Sequence, residues 1–224
     1  MSRVQLRASI TLFLCLPLLA AFSVGAQPCG GDNPNLSLWA EVDVTFDRTY
    51  TGNYRPGEPY DYVTINPDGS GETFEEMDIT LRLQILCGLL GQPPGTPIVG
   101  MPANEIVLFS PSLCFCAPKT ADSDTDAEGW TQFSGTIAGG GCAQGLDIYV
   151  DGIFAGSVPI NINSTDSILD SPCFTDASDL GALAEKLGDP NAWDICFDYN
   201  ESGPPTIDAS DLAFFAAALG AACE

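Results

Sequence analysis

The clearest pattern along residues 36–162 is an alternation of hydrophobic and polar side chains. Residues 78–87 place Ile79, Leu81, Leu83 and Ile85 at every second position, with Thr80, Arg82 and Gln84 between them. Successive side chains of a strand point to opposite faces, so this period of two predicts a strand with one buried face. Residues 36–46 alternate in the same way and predict another long strand. Shorter apolar runs predict strands at 62–65, 106–109, 131–137, 146–150 and 158–162.

Turn residues separate these predicted strands, as in the segment Asn66-Pro67-Asp68-Gly69. Six or more short strands within roughly 100 residues predict an immunoglobulin-like β-sandwich at residues 60–162. Residues 27–59 contribute a strand and an aromatic loop, which we expect to pack on the sandwich. The loop tyrosines could instead grip the face of a sugar, and they are Tyr50, Tyr54 and Tyr60.

Near the C-terminus the hydrophobic period becomes helical, and one short sequence occurs twice. Asp-Ala-Ser-Asp-Leu stands at 176–180 and again 32 residues later at 208–212. After each copy, apolar side chains recur at the spacing i, i+3, i+4 and i+7, which predicts a helix with one apolar stripe. A single narrow stripe needs a partner, so we expect the two helices to pack on each other. The stripes are Leu180, Leu183, Ala184 and Leu187, and Leu212, Phe215, Ala216 and Leu219.

Oxygen-bearing side chains precede the second helix at the spacing of a calcium loop. Calcium takes six to eight oxygen ligands, and a loop supplies them from alternate residues around a glycine turn. The turn glycine is Gly203, and Pro204-Pro205 account for a loop two residues longer than that of an EF-hand. An alternative is that this turn only caps the helix, through Asp208 or Ser210. The predicted ligands are Asp198, Asn200, Ser202, Asp208 and Asp211.

The first loop matches this pattern less well. Ile168 stands where Asn200 stands in the second loop, and Pro172-Cys173 replace the glycine turn. The first loop is therefore as consistent with a weak or vacant calcium site as with a filled one. Its candidate ligands are Asp166, Asp170, Asp176 and Asp179.

Residues 163–224, which we call the repeat pair, resemble a dockerin, a small helical module of two EF-hand-like calcium loops that are each followed by one helix. The resemblance implies attachment of a secreted protein to a cohesin-like partner or another cell-surface component. In that family the two residues before the last loop aspartate contact the partner. In this chain they are Ala177 and Ser178, and Ala209 and Ser210.

The segment Thr125-Asp126-Ala127-Glu128-Gly129 precedes a predicted strand. It is similar to the turn of bacterial immunoglobulin-like domains of the invasin group, which act as spacers and adhesive surfaces. The acidic run at 122–126 could hold another cation, although we favour a solvated loop.

The first 26 residues have the pattern of a signal peptide, with two arginines, an apolar run at 10–22 and Val24-Gly25-Ala26 as a cleavage site. We therefore expect export and a mature chain that begins at Gln27, without a transmembrane segment. Eight cysteines remain and predict disulfides, with 105 possible pairings. We expect two of Cys173, Cys196 and Cys223 to bridge within the repeat pair.

A formal net charge of −23 makes nucleic acid and anionic membranes unsuitable partners. The chain has no histidine, so it has no Ser-His or Cys-His nucleophile system, and no acidic pair sits in a recognisable cleft. We thus expect a non-catalytic, calcium-dependent attachment protein that displays the sandwich, with polysaccharide as a further candidate partner. The alternative is a carbohydrate-binding or surface-layer protein in which the calcium repeats are only a stabilising clasp.

Overall fold

The computed structural model describes residue 29 and residues 37–46, 62–77, 79–88, 95–168, 173–188, 194–199 and 207–223. The expectation of a mostly β chain is confirmed, since this part contains eleven strands and two α-helices. The predicted signal peptide and the predicted aromatic loop lie outside these residues. The elements are β1 (Ser37–Phe46), β2 (Tyr62–Ile65), β3 (Ile79–Gly88), β4 (Thr96–Pro97), β5 (Ile106–Phe109), β6 (Leu113–Phe115), β7 (Lys119–Thr120), β8 (Trp130–Phe133), β9 (Gly139–Gly141), β10 (Ala143–Val150), β11 (Ile153–Ser164), α1 (Ala177–Lys186) and α2 (Ala209–Ala218), with a short 3-10 helix at Ala103–Glu105.

The first sheet is built around β3. Strand β1 pairs with it antiparallel over ten residues, from Ser37 opposite Gly88 to Phe46 opposite Ile79. Strands β4 and β8 pair with the other edge of β3. Along β3 the predicted apolar positions are buried while Thr80 and Arg82 are exposed, so the period of two is confirmed.

The second sheet has the order β2-β11-β10-β5-β7. Strand β2 runs parallel to β11, whereas the other pairs are antiparallel. Asp151 and Gly152 join β10 to β11, and both have a positive φ, of 49° and 72°. A two-residue turn with this backbone matches the twist of the flanking strands, which is why an Asp-Gly pair suits a hairpin.

The two sheets share one hydrophobic core, and together we call them the two-sheet body. Side chains of β3 meet those of β5, β10 and β11 in a cluster of 24 buried apolar residues. Strand β1 lies N-terminal to residue 60, where the predicted sandwich begins, yet it is an edge strand of the first sheet. Strand β11 likewise continues to Ser164, past the predicted boundary at 162.

The turn before β8 shows why its residue types are needed. Thr125 is buried, donates its hydroxyl to the Ile98 carbonyl at 2.6 Å and accepts from the Met101 amide at 2.9 Å. The Asp126 carboxylate accepts the amides of Glu128 and Trp130 at 3.0 and 2.8 Å. Each side chain thus satisfies loop backbone groups.

Strands β6 and β9 form a separate two-stranded ribbon, which carries three of the cysteines. Cys114 lies within β6, Cys116 follows it, and Cys142 follows β9. Strand β9 consists of three glycines, and a Cβ at Gly140 would collide with the Asp166 carboxylate. This glycine therefore lets the start of the repeat pair pack directly against the ribbon.

Candidate functional site

The two copies of Asp-Ala-Ser-Asp-Leu adopt the same local structure. Asp176 and Asp208 are the N-caps of α1 and α2, with backbone angles of −136°/−162° and −134°/−164°. Each carboxylate accepts the amide and the hydroxyl of the serine two residues later, Ser178 or Ser210. These hydrogen bonds hold the pKa of Asp176 and of Asp208 below the usual range. Both aspartates therefore cap their helices.

The last aspartate of each copy links both ends of its loop. Asp211 accepts the Asp208 amide at 2.8 Å through one oxygen and the Tyr199 amide at 2.7 Å through the other. Asp179 does the same with the amides of Asp176 and Ile168, both at 2.9 Å. Both aspartates are buried, and each forms a capping box with its N-cap.

Backbone hydrogen bonds join the two repeats in a symmetric way. The Gly220 amide donates to the Thr175 carbonyl at 3.0 Å, and the Gly188 amide donates to the Ile207 carbonyl at 3.1 Å. Both members of the second bond are offset by 32 residues from those of the first. This exchange of partners is what a local two-fold axis between two copies produces.

Packing inside the repeat pair differs from the predicted stripes. Leu183 of α1 and Phe215 of α2 meet in a small buried cluster with Tyr199 and Ile207. The two predicted stripes meet at these two side chains, but most of the stripe residues are exposed, and Leu219 is 57% exposed. The helices meet through this cluster, and their outer apolar positions remain exposed. The exposed stripe residues are Leu180, Ala184, Leu187, Ala216 and Leu219.

Negative charge is concentrated where the second loop begins and ends. Burial raises the pKa of Asp211 to about 6, and the nearby carboxylates of Asp198 and Asp208 add to this effect. Burial also raises the pKa of Tyr199, to which the charges of Asp179 and Asp211 contribute. Lys186 is the only lysine or arginine among residues 163–224, and its ammonium lies 3.7 Å from Asp194. A cation near Asp211 would therefore offset repulsion among these carboxylates.

The predicted calcium ligands are described only in part. Asp170, Asn200 and Ser202 lie outside the described residues. Among the described residues, two sets of three ligand atoms lie within 4.8 Å of one another, and they consist mainly of cysteine sulfurs. Those sulfurs form disulfides, and Asp198, Asp208 and Asp211 do not form such a set. The two sets are Cys116, Cys173 and Cys223, and Cys114, Asp166 and Cys173.

Asp166, the predicted first ligand of loop one, is fully buried against the ribbon. Its carbonyl accepts the Gly141 amide at 2.6 Å, and one carboxylate oxygen accepts the Phe174 amide at 3.1 Å. The other predicted first ligand, Asp198, is also buried.

The repeat pair is tied covalently to the ribbon. Disulfides join Cys114 to Cys173, Cys116 to Cys223 and Cys142 to Cys196, with Cα separations of 6.2, 5.1 and 5.5 Å. The prediction of a bridge within the repeat pair is wrong, because each of its three cysteines pairs with the ribbon. A fourth disulfide joins Cys29 to Cys87 of β3.

Among the described residues, no helix is long and apolar enough to cross a membrane.

Polar side chains of the second sheet hold the start of the second loop. The Asn163 amide group donates to the carbonyls of Ile195 and Asp198, both at 2.8 Å. The Thr64 hydroxyl donates to the Tyr199 carbonyl at 3.0 Å. These contacts were not predicted, although Asn161 and Asn163 alternate with Ile160 and Ile162 and thereby mark a polar strand face.

The four predicted partner-binding residues lie in the first turns of the two helices. Ala177, Ser178, Ala209 and Ser210 are all exposed. Both serine hydroxyls donate to the N-cap carboxylates. These residues occupy equivalent positions in the two repeats, so the surface they form is duplicated.

Aspartates of the acidic run at 122–126 accept separate backbone hydrogen bonds. Asp122 accepts the Ser134 amide, and Asp124 accepts the Ala103 amide. The favoured interpretation as a loop is consistent with these contacts, because each carboxylate satisfies a different backbone group.

Comparison of the chain with protein-family models, with curated proteins and with solved structures finds no match.

Proposed function

We propose that this protein is an exported, non-catalytic attachment protein whose dockerin-like repeat pair binds calcium and carries an immunoglobulin-like sandwich. The observation that carries the proposal is the buried Asp211 carboxylate, which receives one amide from each end of the second loop. A calcium loop of the EF-hand kind is closed by a carboxylate at its last position. Asp179 occupies the same place in the first repeat.

Calcium suits this donor set better than softer metals do. The described candidate ligands of the second loop are the carboxylates of Asp198, Asp208 and Asp211, and hard cations prefer such oxygens. Burial raises the pKa of Asp211, and the charges of Asp198 and Asp208 add to this effect. A bound calcium ion would offset the repulsion among these carboxylates. With free calcium at 100 times the dissociation constant, one site adds about 2.7 kcal/mol to stability.

The order of the strands supports an immunoglobulin-like sandwich. One sheet contains β1, β3 and β8, and the other contains β11, β10 and β5. In an immunoglobulin-type sandwich the first, second and fifth strands share one sheet, whereas the third, sixth and seventh form the other. When β2 is taken as a continuation of β1, the strands β1, β3 and β8 correspond to the first, second and fifth strands. The strands β5, β10 and β11 then correspond to the third, sixth and seventh strands.

Attachment is supported by the duplicated surface on the two helices. Partner-contacting positions in dockerins correspond to Ala177 and Ser178 and to Ala209 and Ser210, and all four are exposed here. The two-fold relation of the repeats would let a cohesin-like partner bind in either of two orientations. Substitution of one copy alone should therefore leave binding largely intact.

A structural clasp is a second candidate function for the repeat pair. Three disulfides join it to the ribbon, and Asn163 and Thr64 hydrogen bond to the start of the second loop. A module that only carries a partner-binding surface needs no such fixation. In this role calcium would stabilise the two-sheet body without recruiting a partner.

The two candidates are distinguished by a capture experiment with the mature chain. Immobilised protein is exposed to cell-surface extract of the source organism with calcium, with magnesium or with a chelator. Attachment predicts a calcium-dependent partner that is retained after substitution of Ala209 and Ser210 by arginine but lost after substitution of all four residues. Calcium-dependent stabilisation without any such partner would instead support the clasp.

A further inference from the structure

The solvent-facing side of the five-stranded sheet carries aromatic side chains where polar ones are usual. Antiparallel sheets with one packed face commonly present polar residues on the other. Here Leu108 and Ile148 enter the core, while their neighbours Phe109 and Tyr149 lie on the outer face. Phe109 is 41% exposed, and Phe154 on the adjacent β11 is 53% exposed. A contiguous exposed group of this kind marks a binding surface.

The aromatic rings meet at steep angles. The ring centroids of Phe109 and Tyr149 are 5.8 Å apart with planes at 85°, and those of Tyr149 and Phe154 are 6.0 Å apart at 73°. Phe115 stacks on Phe109 from the neighbouring ribbon at 6.1 Å. The rings therefore form walls and corners, so they suit a small ring-shaped group better than a flat crystalline surface.

A cleft of about 480 Å³ opens beside these rings, within the size range of small-molecule sites. Its apolar wall consists of Val107, Phe109 and Tyr149. Its polar wall comes from Asn104 and Glu105 and from the turn at Asp151 and Gly152. The Asp151 amide donates to the Glu105 carbonyl at 2.9 Å, which fixes the turn against the 3-10 helix.

The chemistry of these walls matches a sugar. A pyranose ring presents a face of C–H groups, which packs on an aromatic ring, and an edge of hydroxyls, which donate to carboxylate and amide oxygens. Glu105 and Asp151 are acceptors of this kind, and Asn104 can both donate and accept. The formal net charge of −23 and the two carboxylates at the rim disfavour uronic acids, phosphates and other anions.

We propose that this cleft binds a neutral oligosaccharide, with a sugar ring against Tyr149 and Phe109 and its hydroxyls on Glu105 and Asp151. The site lies on the two-sheet body, and it does not rest on calcium binding by the repeat pair. The two-sheet body would then bind a ligand that is different from the partner of the repeat pair.

Isothermal titration calorimetry on the mature chain tests the proposal with cellohexaose, xylohexaose, mannohexaose and hexa-N-acetylchitohexaose as probes. We expect at least one of these neutral sugars to bind. Tyr149→Ala and Phe109→Ala should each weaken that binding about tenfold or more through loss of ring contact. Glu105→Gln and Asp151→Asn should weaken it as well, and asparagine preserves the turn because it tolerates a positive φ.

Val99→Ala is the matched control, because Val99 is 62% exposed and is not among the residues that line the cleft. It should change affinity by less than about twofold. Thermal melting of every variant identifies loss of folding, and Phe109→Ala serves if Tyr149→Ala does not fold. Absence of binding across the four probes would overturn the proposal. So would unchanged binding in both aromatic variants, or self-association of the chain that Phe109→Ala abolishes.

Discussion

The two-sheet body and the repeat pair are stabilised by different means. Twenty-four buried apolar side chains form the core of the body, whereas the repeat pair has four in its own cluster among the described residues. Burial of apolar surface is the dominant favourable term in folding, so it contributes much more to the stability of the body than to that of the repeat pair. Three disulfides and the hydrogen bonds of Asn163 and Thr64 supply what the small cluster cannot. Small units commonly depend on cross-links or metals for this reason.

Loss of a cross-link to the ribbon should have the largest effect. Replacement of Cys116 and Cys223 by serine removes a disulfide that joins residues 107 positions apart in the sequence. Loop-closure entropy then predicts a loss of about 4.7 kcal/mol. Hydrogen exchange should show protection lost in α2 and retained in β3. Replacement of Cys29 and Cys87, which do not reach the repeat pair, is the control and should leave α2 protected. Equal loss in α2 for both variants would contradict the comparison.

A matched pair of leucines tests the difference between the two cores. Leu83 of the body and Leu183 of the repeat pair are both fully buried. Each leucine-to-alanine change should cost about 3 kcal/mol, from lost transfer free energy and a residual cavity. Leu83→Ala should lower the midpoint of global urea unfolding. Leu183→Ala should instead increase exchange in α1 and α2 while β3 stays protected. A global transition shifted equally by both variants would show that the regions are not distinct.

The calcium-free protein should become less stable between about pH 4 and pH 6. Asp211 has a folded-state pKa of about 6 against 3.8 for the unfolded chain, so the folded state binds its proton more tightly. The stability that this proton contributes is complete below pH 4 and is lost as the pH rises through 6. Because water screens part of the carboxyl, we expect about 1.5 kcal/mol or less.

Urea unfolding with a chelator at pH 5 and pH 7 measures this difference. Asp211→Asn has no titrating group at residue 211. In this variant the part of the pH 5 to pH 7 stability difference that Asp211 causes should therefore be absent. In the presence of calcium the direction should reverse, since protonation of Asp211 competes with the metal. A pH dependence that is the same in the parent and in Asp211→Asn would exclude Asp211 as its source.

The N-caps should give the smallest effects, of nearly equal size. Asp176→Ala and Asp208→Ala each remove a carboxylate that accepts two hydrogen bonds, and each should lower stability by a small and similar amount. Circular dichroism and thermal melting provide the measurement. Unequal losses without calcium would contradict the equivalence of the two caps.

The sequence predicts local structure well wherever the period of the side chains is enforced by burial. Strand β3 has this period, and the duplicated Asp-Ala-Ser-Asp-Leu marks both helices and their caps. Asp151-Gly152 is also a recognisable hairpin signal. The apolar run of β5 predicts a strand but not which of its side chains face the core, since all four residues are apolar.

Long-range relations could not be derived from the sequence. Periodicity marks Leu180, Leu187 and Leu219 as a helix face but does not say how much of that face another element covers. In the structure a small cluster centred on Leu183 and Phe215 joins the helices, and the other leucines remain exposed. Cysteine spacing likewise does not select among disulfide pairings, which depend on where the ribbon lies.

Calcium titration of the mature chain by calorimetry tests the central claim most directly, when it compares Asp211→Asn with Asp179→Asn. Asparagine keeps one of the two accepting oxygens and carries no charge. Each variant therefore loses the charge and the same second loop hydrogen bond, which makes the two variants a matched pair. We predict that the parent binds calcium and that Asp211→Asn weakens this binding far more than Asp179→Asn does. The reason is that the second loop has the fuller ligand set, whereas the first has Ile168 in place of a ligand. Absence of calcium binding by the parent, or equal losses in the two variants, would contradict the account.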